Sequence, residues 1–409
     1  MAQLSDDCFA FGGKLQSIDA ALAVIAAGVP CVASTETVPL LEADARVLAE
    51  AVVAAVDLPP FPNSAVDGYA VRLADVEGQA VPVMGRLAAG APATSLRPGT
   101  AMRIFTGAPM PDGADTVFMQ EDVIEREGRV LLPEGLRPGA NTRPAGEDIA
   151  QGALALPKGR VLRPQDVALA AALGLRTLLV RRRLRVALFS TGDELADPGA
   201  PLAPSQRWDS NRVLLAALCR RTGAVVTDLG ILPDRPEAIV AALAAAAGLH
   251  DLVLTSGGVS TGEEDHVRTA VEAAGRLVFW RVAIKPGRPV AMGELGDALF
   301  LGLPGNPVAA FVTFVCLGRV LLAALAGAEP PQFRTLPVIA GFAYRKKPGR
   351  REYVRVRLDS GLVAHKHPVE GAGILTSLTD TDGLLELADD ITSIAPGDAV
   401  AFLAFPAMM

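Results

Sequence analysis

The segment Asp251-Leu-Val-Leu-Thr-Ser-Gly-Gly-Val-Ser-Thr-Gly-Glu-Glu-Asp-His266 sets a short apolar run against a glycine-rich turn and then an acidic helix start. Two flanking segments repeat the arrangement. Arg185-Val-Ala-Leu-Phe189 breaks into Ser190-Thr-Gly-Asp-Glu194, and Ala298-Leu-Phe-Leu-Gly302 breaks into Leu303-Pro-Gly-Asn-Pro307. Alanine-rich, helix-like stretches lie between them. Short buried strands alternating with helices are the pattern of a parallel α/β sheet. Ligands of such sheets sit beyond the carboxyl ends of the strands, where these turns gather.

Outward from this centre the chain changes character. Ile18 to Ala27 and Leu40 to Ala54 carry apolar residues at helical spacing and predict two helices. Asp57-Leu-Pro-Pro-Phe-Pro-Asn-Ser-Ala-Val-Asp-Gly68 stops them with extended backbone. Short runs from Val71 to Glu147, punctuated by Gly and Pro, predict a small β domain. Pro164 to Gly174 reads as a helix with proline in its first turn. In the α/β region, helices are expected over Arg212 to Arg221, Glu237 to Ala247 and His266 to Ala274. Beyond Pro330-Pro331, alternation in Tyr353-Val-Arg-Val-Arg-Leu358 predicts a β-barrel. The fold class is therefore multidomain α/β plus β. Helical segments take residues 1–57 and 149–180, and a small β domain between them takes 58–148. A central α/β sheet domain takes 181–329, and a C-terminal β-barrel takes 330–409.

Composition narrows the function. The chain has 409 residues, half of them hydrophobic, and a net charge of −7 with acids and bases interspersed, which argues against a nucleic-acid groove. Cys8, Cys31, Cys219 and Cys316 show no pair or metal spacing, and a reducing cytoplasm suits them. The N-terminus lacks the basic and apolar regions of a signal peptide. Pro307 to Ala328 is long and apolar enough to span a bilayer, but Arg319 in its middle and the turn before it favour a buried core helix, so no membrane partner is expected.

The glycine turn presents many unhindered N–H groups before a helix N-terminus, which suits phosphate or another oxyanion. It is neither a Walker loop nor a dinucleotide fingerprint. Asp193, Glu194, Asp234, Glu263, Glu264 and Asp265 fall at the same strand ends. Carboxylates beside phosphate make sense when Mg²⁺ bridges them, and Lys285 and Arg288 supply further positive charge.

Pro62-Asn-Ser-Ala-Val-Asp-Gly-Tyr-Ala-Val71, Thr106-Gly107 with Pro109 and Pro111, Gly146-Glu-Asp148, Ser190-Thr-Gly-Asp-Glu194, Ser256-Gly-Gly-Val-Ser260, Ile284-Lys-Pro-Gly287 and Gly302-Leu-Pro-Gly-Asn-Pro307 occur together and in order. In this the chain resembles the molybdopterin molybdenumtransferases, the bacterial counterparts of the gephyrin E domain, over nearly its whole length. The resemblance implies insertion of molybdate into adenylylated molybdopterin, assisted by Mg²⁺, with release of AMP. It implies a homodimer of elongated four-domain subunits, the first domain helical, elongated and discontinuous and the α/β sheet domain of the molybdopterin-binding type. In that dimer the β domain of one subunit lies beside the α/β domain of the other. It also implies an upstream molybdopterin adenylyltransferase as a possible partner. The pterin nucleotide would lie against Ser256, Gly257, Gly258, Ser260 and Gly262. Asp67, Thr106, Arg143 and Asp148 would enter from the β domain. Glu194, Asp234 and Asp265 would be the metal-binding acids, with Arg281 and Lys285 as bases. Pro304 and Pro307 would shape the molybdate wall, and Thr376 or Ser377 matches a family serine. Arg281 and Arg288 stand where lysine is frequent, which keeps charge but alters geometry. The competing readings are a molybdopterin adenylyltransferase, which shares the glycine loop but lacks the flanking domains, and a non-catalytic scaffold of the gephyrin type.

Overall fold

The computed structural model describes residues 16–76, 78–259 and 266–408. The α/β domain forms around a six-stranded sheet whose first four strands are parallel, in the order Val225–Leu232, Arg185–Thr191, Leu252–Ser256, Ala298–Leu303. Pro289–Leu295 and Arg276–Arg281 complete it in antiparallel sense. The three inner parallel strands are buried along almost their whole length because helices cover both faces, whereas the edge strand Val225–Leu232 stays partly exposed. Val186, Leu188, Leu252, Leu254 and Leu301 pack one face, and Ala187, Phe189, Val253 and Phe300 the other. After Thr191 the chain goes to one side of strand Arg185–Thr191, and after Leu232 it crosses to the opposite side. That strand and Leu252–Ser256 therefore flank a topological switch point.

The expected helices appear as Ser210–Arg221, Pro236–Ala247 and His266–Ala274. Asp209 caps the first by accepting from Arg212 N. The long apolar segment is one continuous helix, Pro307–Ala326, with a π turn over Phe314–Gly318. It is 78% buried in its most apolar window, which makes it a core helix despite its length. Cys219 and Cys316 are buried, and burial pushes both thiols up to about 12.

One expectation fails. Ile18–Gly28 and Pro164–Ala172 are helices, but Leu40 to Ala54 is not. Thr35–Pro39 pairs antiparallel with Thr177–Arg181, only Leu40–Glu42 makes a 3₁₀ turn, and Ala45 takes φ +59°. Val38, Leu48, Val52 and Ala54 do reach a common core, with Leu156, Leu162 and Val180. Tertiary burial satisfied the apolar spacing through extended backbone, overriding the helical reading.

The small β domain carries a six-stranded sheet containing Gly68–Val71, Ala101–Ile104 and Thr116–Met119. In the C-terminal region Leu336–Ala340, Arg351–Leu358, Val363–Lys366, Gly383–Leu387 and Ala399–Ala404 close into a five-stranded barrel. Ile284–Lys285 leaves the α/β domain to pair with Arg351 and Glu352, hydrogen-bonding the two domains directly.

Candidate functional site

The glycine turn begins where Ser256 leaves its strand. Ser256 is buried, and its Oγ accepts from Asn211 Nδ2 (2.8 Å) and donates to the Pro304 carbonyl (3.3 Å). Asn211 Nδ2 also reaches the Gly305 carbonyl at 2.8 Å, and Gly257 N donates to Leu303 O at 3.0 Å. One helix start and two strand ends are thus pinned together by polar contacts that leave little slack. The sequence did not point to Asn211, because its place beside the capping Asp209 conceals this role. At Gly258 φ is +65°, and a Cβ would lie 2.3 Å from Val267 Cγ2 and 2.9 Å from Thr191 Cγ2. No side chain fits there without displacing these neighbours.

Asp234 and Glu194 stand at the ends of neighbouring strands. Thr191 Oγ1 donates to Asp234 (3.2 Å), and Glu194 folds back over Gly192 with Arg207 at 3.3 Å. Among the described residues no group of three or more His, Cys, Asp or Glu side chains is placed to hold a metal. Ser260, Gly262, Glu263, Glu264 and Asp265 lie outside the described residues.

The β domain brings a second set together across long sequence separations. Asp67 Oδ1 accepts from both Thr106 N (2.8 Å) and Thr106 Oγ1 (2.7 Å). Those two bonds, backbone first, with the Arg103 charge, hold the exposed Asp67 carboxyl below its ordinary range. Thr142–Arg143 pairs with Asn63–Ser64, and Ser64 O accepts from Gly107 N, so Arg143 shares this side. Arg143 is paired with Glu147, the neighbour of the expected Asp148, whose own amide donates to Leu58 O. Asp148 is exposed. These bonds knit the set within its own domain.

A cavity of about 250 Å³ lies between the α/β domain and the barrel. Lys285, Pro304, Asn306, Tyr344, Glu352 and Arg355 are among its walls. Gly287, at φ +118°, lets the Lys285-Pro286-Gly287 turn lie against Thr313, whose Oγ1 would be 2.2 Å from a Cβ there. Lys285 Nζ contacts Tyr344 OH (3.0 Å) and Glu352 Oε2 (3.1 Å), Tyr344 donates to the same oxygen (2.8 Å), and Arg350 holds Oε1. Burial pulls the Lys285 ammonium down, but these partners outweigh it and hold its pKa above the ordinary value. Burial likewise opposes the Glu352 carboxylate, and Tyr344, Lys285 and Arg350 hold its pKa low nonetheless. With Glu352 neutralised, Arg355 stands out. Its Nη1 donates to Gly371 O (2.8 Å) while its Nε is buried without a partner among the described residues. Arg355 therefore keeps an unpaired, charge-assisted donor beside the chamber that it lines.

Of the other expected residues, Pro304 lines this cavity and also touches Ser256, so the turn 303–307 is a wall common to glycine loop and chamber. Pro307 starts the helix behind it. Arg281 and Arg288 are exposed and do not line the cavity. Ser377 is fully buried, donates to Ile374 O (2.5 Å) and stays out of the chamber lining, while Thr376 opens the short helix before it. Arg355, Tyr344 and Glu352 went unread because strand alternation shows which residues share a face, not what that face meets.

Fold and site together define a multidomain protein built on an α/β domain of the molybdopterin-binding type. Residues 16–174 match the MoeA N-terminal region (domains I and II), 187–324 a probable molybdopterin-binding domain, and 337–405 the MoeA C-terminal region (domain IV). A molybdopterin molybdenumtransferase of Haemophilus influenzae is 36% identical over 95% of this chain and 98% of its own. Molybdopterin molybdenumtransferase 2 of Mycobacterium tuberculosis is 38% identical over 88% and 93%. The crystal structure of the molybdopterin biosynthesis moeA protein of Pyrococcus horikoshii superposes with a TM-score of 0.83 at 30% identity, covering 96% of this chain and all of that one. The chain belongs to the molybdopterin molybdenumtransferase family.

Proposed function

We propose that this protein transfers molybdate into the dithiolene of adenylylated molybdopterin, releasing AMP. The observation that carries the reading is the common wall: the turn 303–307 touches the glycine turn through Ser256 and also lines a cavity of about 250 Å³ shared with Lys285 and Arg355. The glycine turn takes the nucleotide phosphates on backbone N–H groups at the switch point. Lys285 and Arg355 hold molybdate electrostatically across the turn, so the two reactants meet without a covalent enzyme intermediate. Asp67, oriented by Thr106, has a second oxygen to accept N–H groups such as a pterin edge presents.

Glu194 and Asp234 suit Mg²⁺ by donor chemistry, since this hard ion takes one or two carboxylates and fills its shell with water and phosphate oxygens. Asp265 joins them in the proposed set. Bound there, the ion would neutralise charge on the phosphoanhydride oxygens. The Asp67 half and the glycine-turn half sit on different domains, and we assign their meeting to a homodimer. An adenylyltransferase upstream supplies the substrate, and the reaction is placed in the cytoplasm.

The test supplies purified protein with adenylylated molybdopterin and varies molybdate while AMP is followed. Molybdate-dependent AMP release is expected, with Arg355→Ala raising the molybdate KM. A requirement for ATP and unmodified molybdopterin would sink the proposal.

A further inference from the structure

A second cavity, of about 320 Å³, opens at the opposite end of the α/β sheet. It sits where strand Arg185–Thr191 begins, between the last turn of helix Ser210–Arg221, the segment Arg319–Ala326 and residues 45–47 of the elongated domain. Seven strand residues at about 3.3 Å each put it roughly 20 Å from the glycine turn. Arg46, Arg181, Arg182, Arg183, Arg221 and Arg319 line it, against a single lining carboxylate, Glu329. At least two of these arginines have acidic partners outside the cavity. Arg46 pairs with Glu36, and Arg182 grips both oxygens of Asp251 at 2.7 Å. Arg183 Nη1 donates to the Gly223 carbonyl at 3.1 Å.

Arg319 is different. It interrupts an otherwise apolar core helix, its guanidinium lies 5.3 Å from the Phe333 ring centroid, and its Nη1 is buried without a partner among the described residues. Arg181 Nε is buried without one as well. Burial pushes the Arg319 pKa below the ordinary arginine value, the Cys316 thiol being the opposing influence and no carboxylate among the causes. A guanidinium desolvated in this way is costly unless something supplies the missing charge.

We infer that this cavity binds a phosphorylated small molecule with an apolar or aromatic body. Guanidinium forks match phosphate oxygens and suit a multiply charged anion better than a point charge does. Leu184, Leu322, Ala323 and Pro331 give the remaining wall an apolar surface for the body of the ligand. The volume falls at the small end of ligand pockets, about 300 Å³ upward. The site is separate from the proposed transferase centre and does not depend on that reading.

Phenyl phosphate, benzoate and inorganic phosphate, titrated calorimetrically into the full chain, test this. Phenyl phosphate is expected to bind the wild-type protein and Lys285→Ala alike, and to lose about tenfold or more in Arg319→Met. Benzoate and inorganic phosphate are expected to bind more weakly. Without ligand, Arg319→Met is expected to melt no lower than wild type because an uncompensated buried charge is gone; phenyl phosphate then raises the wild-type Tm and leaves the variant's unchanged. Absence of saturable phenyl phosphate binding to the wild-type protein, equal affinity in Arg319→Met, or loss of binding in Lys285→Ala instead would each overturn the site. Tighter binding of benzoate would overturn its phosphoryl preference.

Discussion

Glu352→Gln isolates the buried acid that balances the chamber. Glu352 is 1% exposed and receives Lys285 Nζ, Tyr344 OH and Arg350. The amide keeps an oxygen for Arg350 but turns an NH₂ toward Lys285 and Tyr344, which then lose their acceptor. Breaking a fully buried ion pair costs about 3–5 kcal/mol. Lys285 is nearly half exposed, so its share is screened, and a loss of roughly 2–3 kcal/mol follows. Calorimetry should show the transition containing the barrel lowered by about 2–8 °C per kcal/mol, depending on how much of the chain melts with it.

The pH dependence fixes the cause. Because the folded pKa of Glu352 is depressed, its contribution is full above the unfolded glutamate value near about 4.3 and disappears as pH falls through the folded value. The gap between wild type and Glu352→Gln should therefore narrow between pH 7 and pH 3. Meanwhile removal of a carboxylate from a cationic chamber should tighten molybdate binding at neutral pH. A variant that melts with the wild type at pH 7 would refute the reasoning. So would an unchanged deficit at pH 3, which would mean the effect is steric.

Gly258→Ala meets Val267 and Thr191 and occupies a left-handed backbone, so a stability loss of about 2–4 kcal/mol is expected together with weakened nucleotide binding, read by urea unfolding and titration with AMP. Asn211→Ala removes the donor shared by Ser256 and Gly305; AMP release should fall and unfolding should be easier by about 1–3 kcal/mol, whereas unchanged turnover would detach Asn211 from the site. Asp67→Asn should cut turnover with the melting temperature little changed. In the wild type the acidic limb governed by Asp67 should fall below the ordinary aspartate range, because the folded pKa is lowered; a pH–rate profile decides.

The three inner parallel strands were legible because burial on both faces leaves continuous apolar runs, and each ended at a turn with a clear chemical character. Pro289–Leu295 was not legible, since proline and glycine interrupt it and its ladder is supplied by neighbours. Leu40 to Ala54 misled because apolar spacing records burial, and an irregular extended chain can bury the same residues. The same limit hid the chamber. Arg355 sits in an alternating strand like any barrel residue, and its meaning comes from a domain seventy residues upstream, where Lys285 is carried onto the barrel edge by two residues of strand pairing.

That pairing has a consequence for how the two reactant sites stay in register. Ile284–Lys285 hydrogen-bonds to Arg351 and Glu352, and Arg351 in turn bonds Asp19 on helix Ile18–Gly28. The buried Glu352 therefore receives its cations from both sides of the domain boundary, Lys285 from one and Arg350 from the other. Rotation of the barrel by even one strand residue would break the ladder and strand a buried carboxylate simultaneously, two costs that add because they arise from the same displacement. A hinge at this boundary is disfavoured, whereas the β domain is knit by bonds of its own and holds Asp67 and Thr106 as a separate piece.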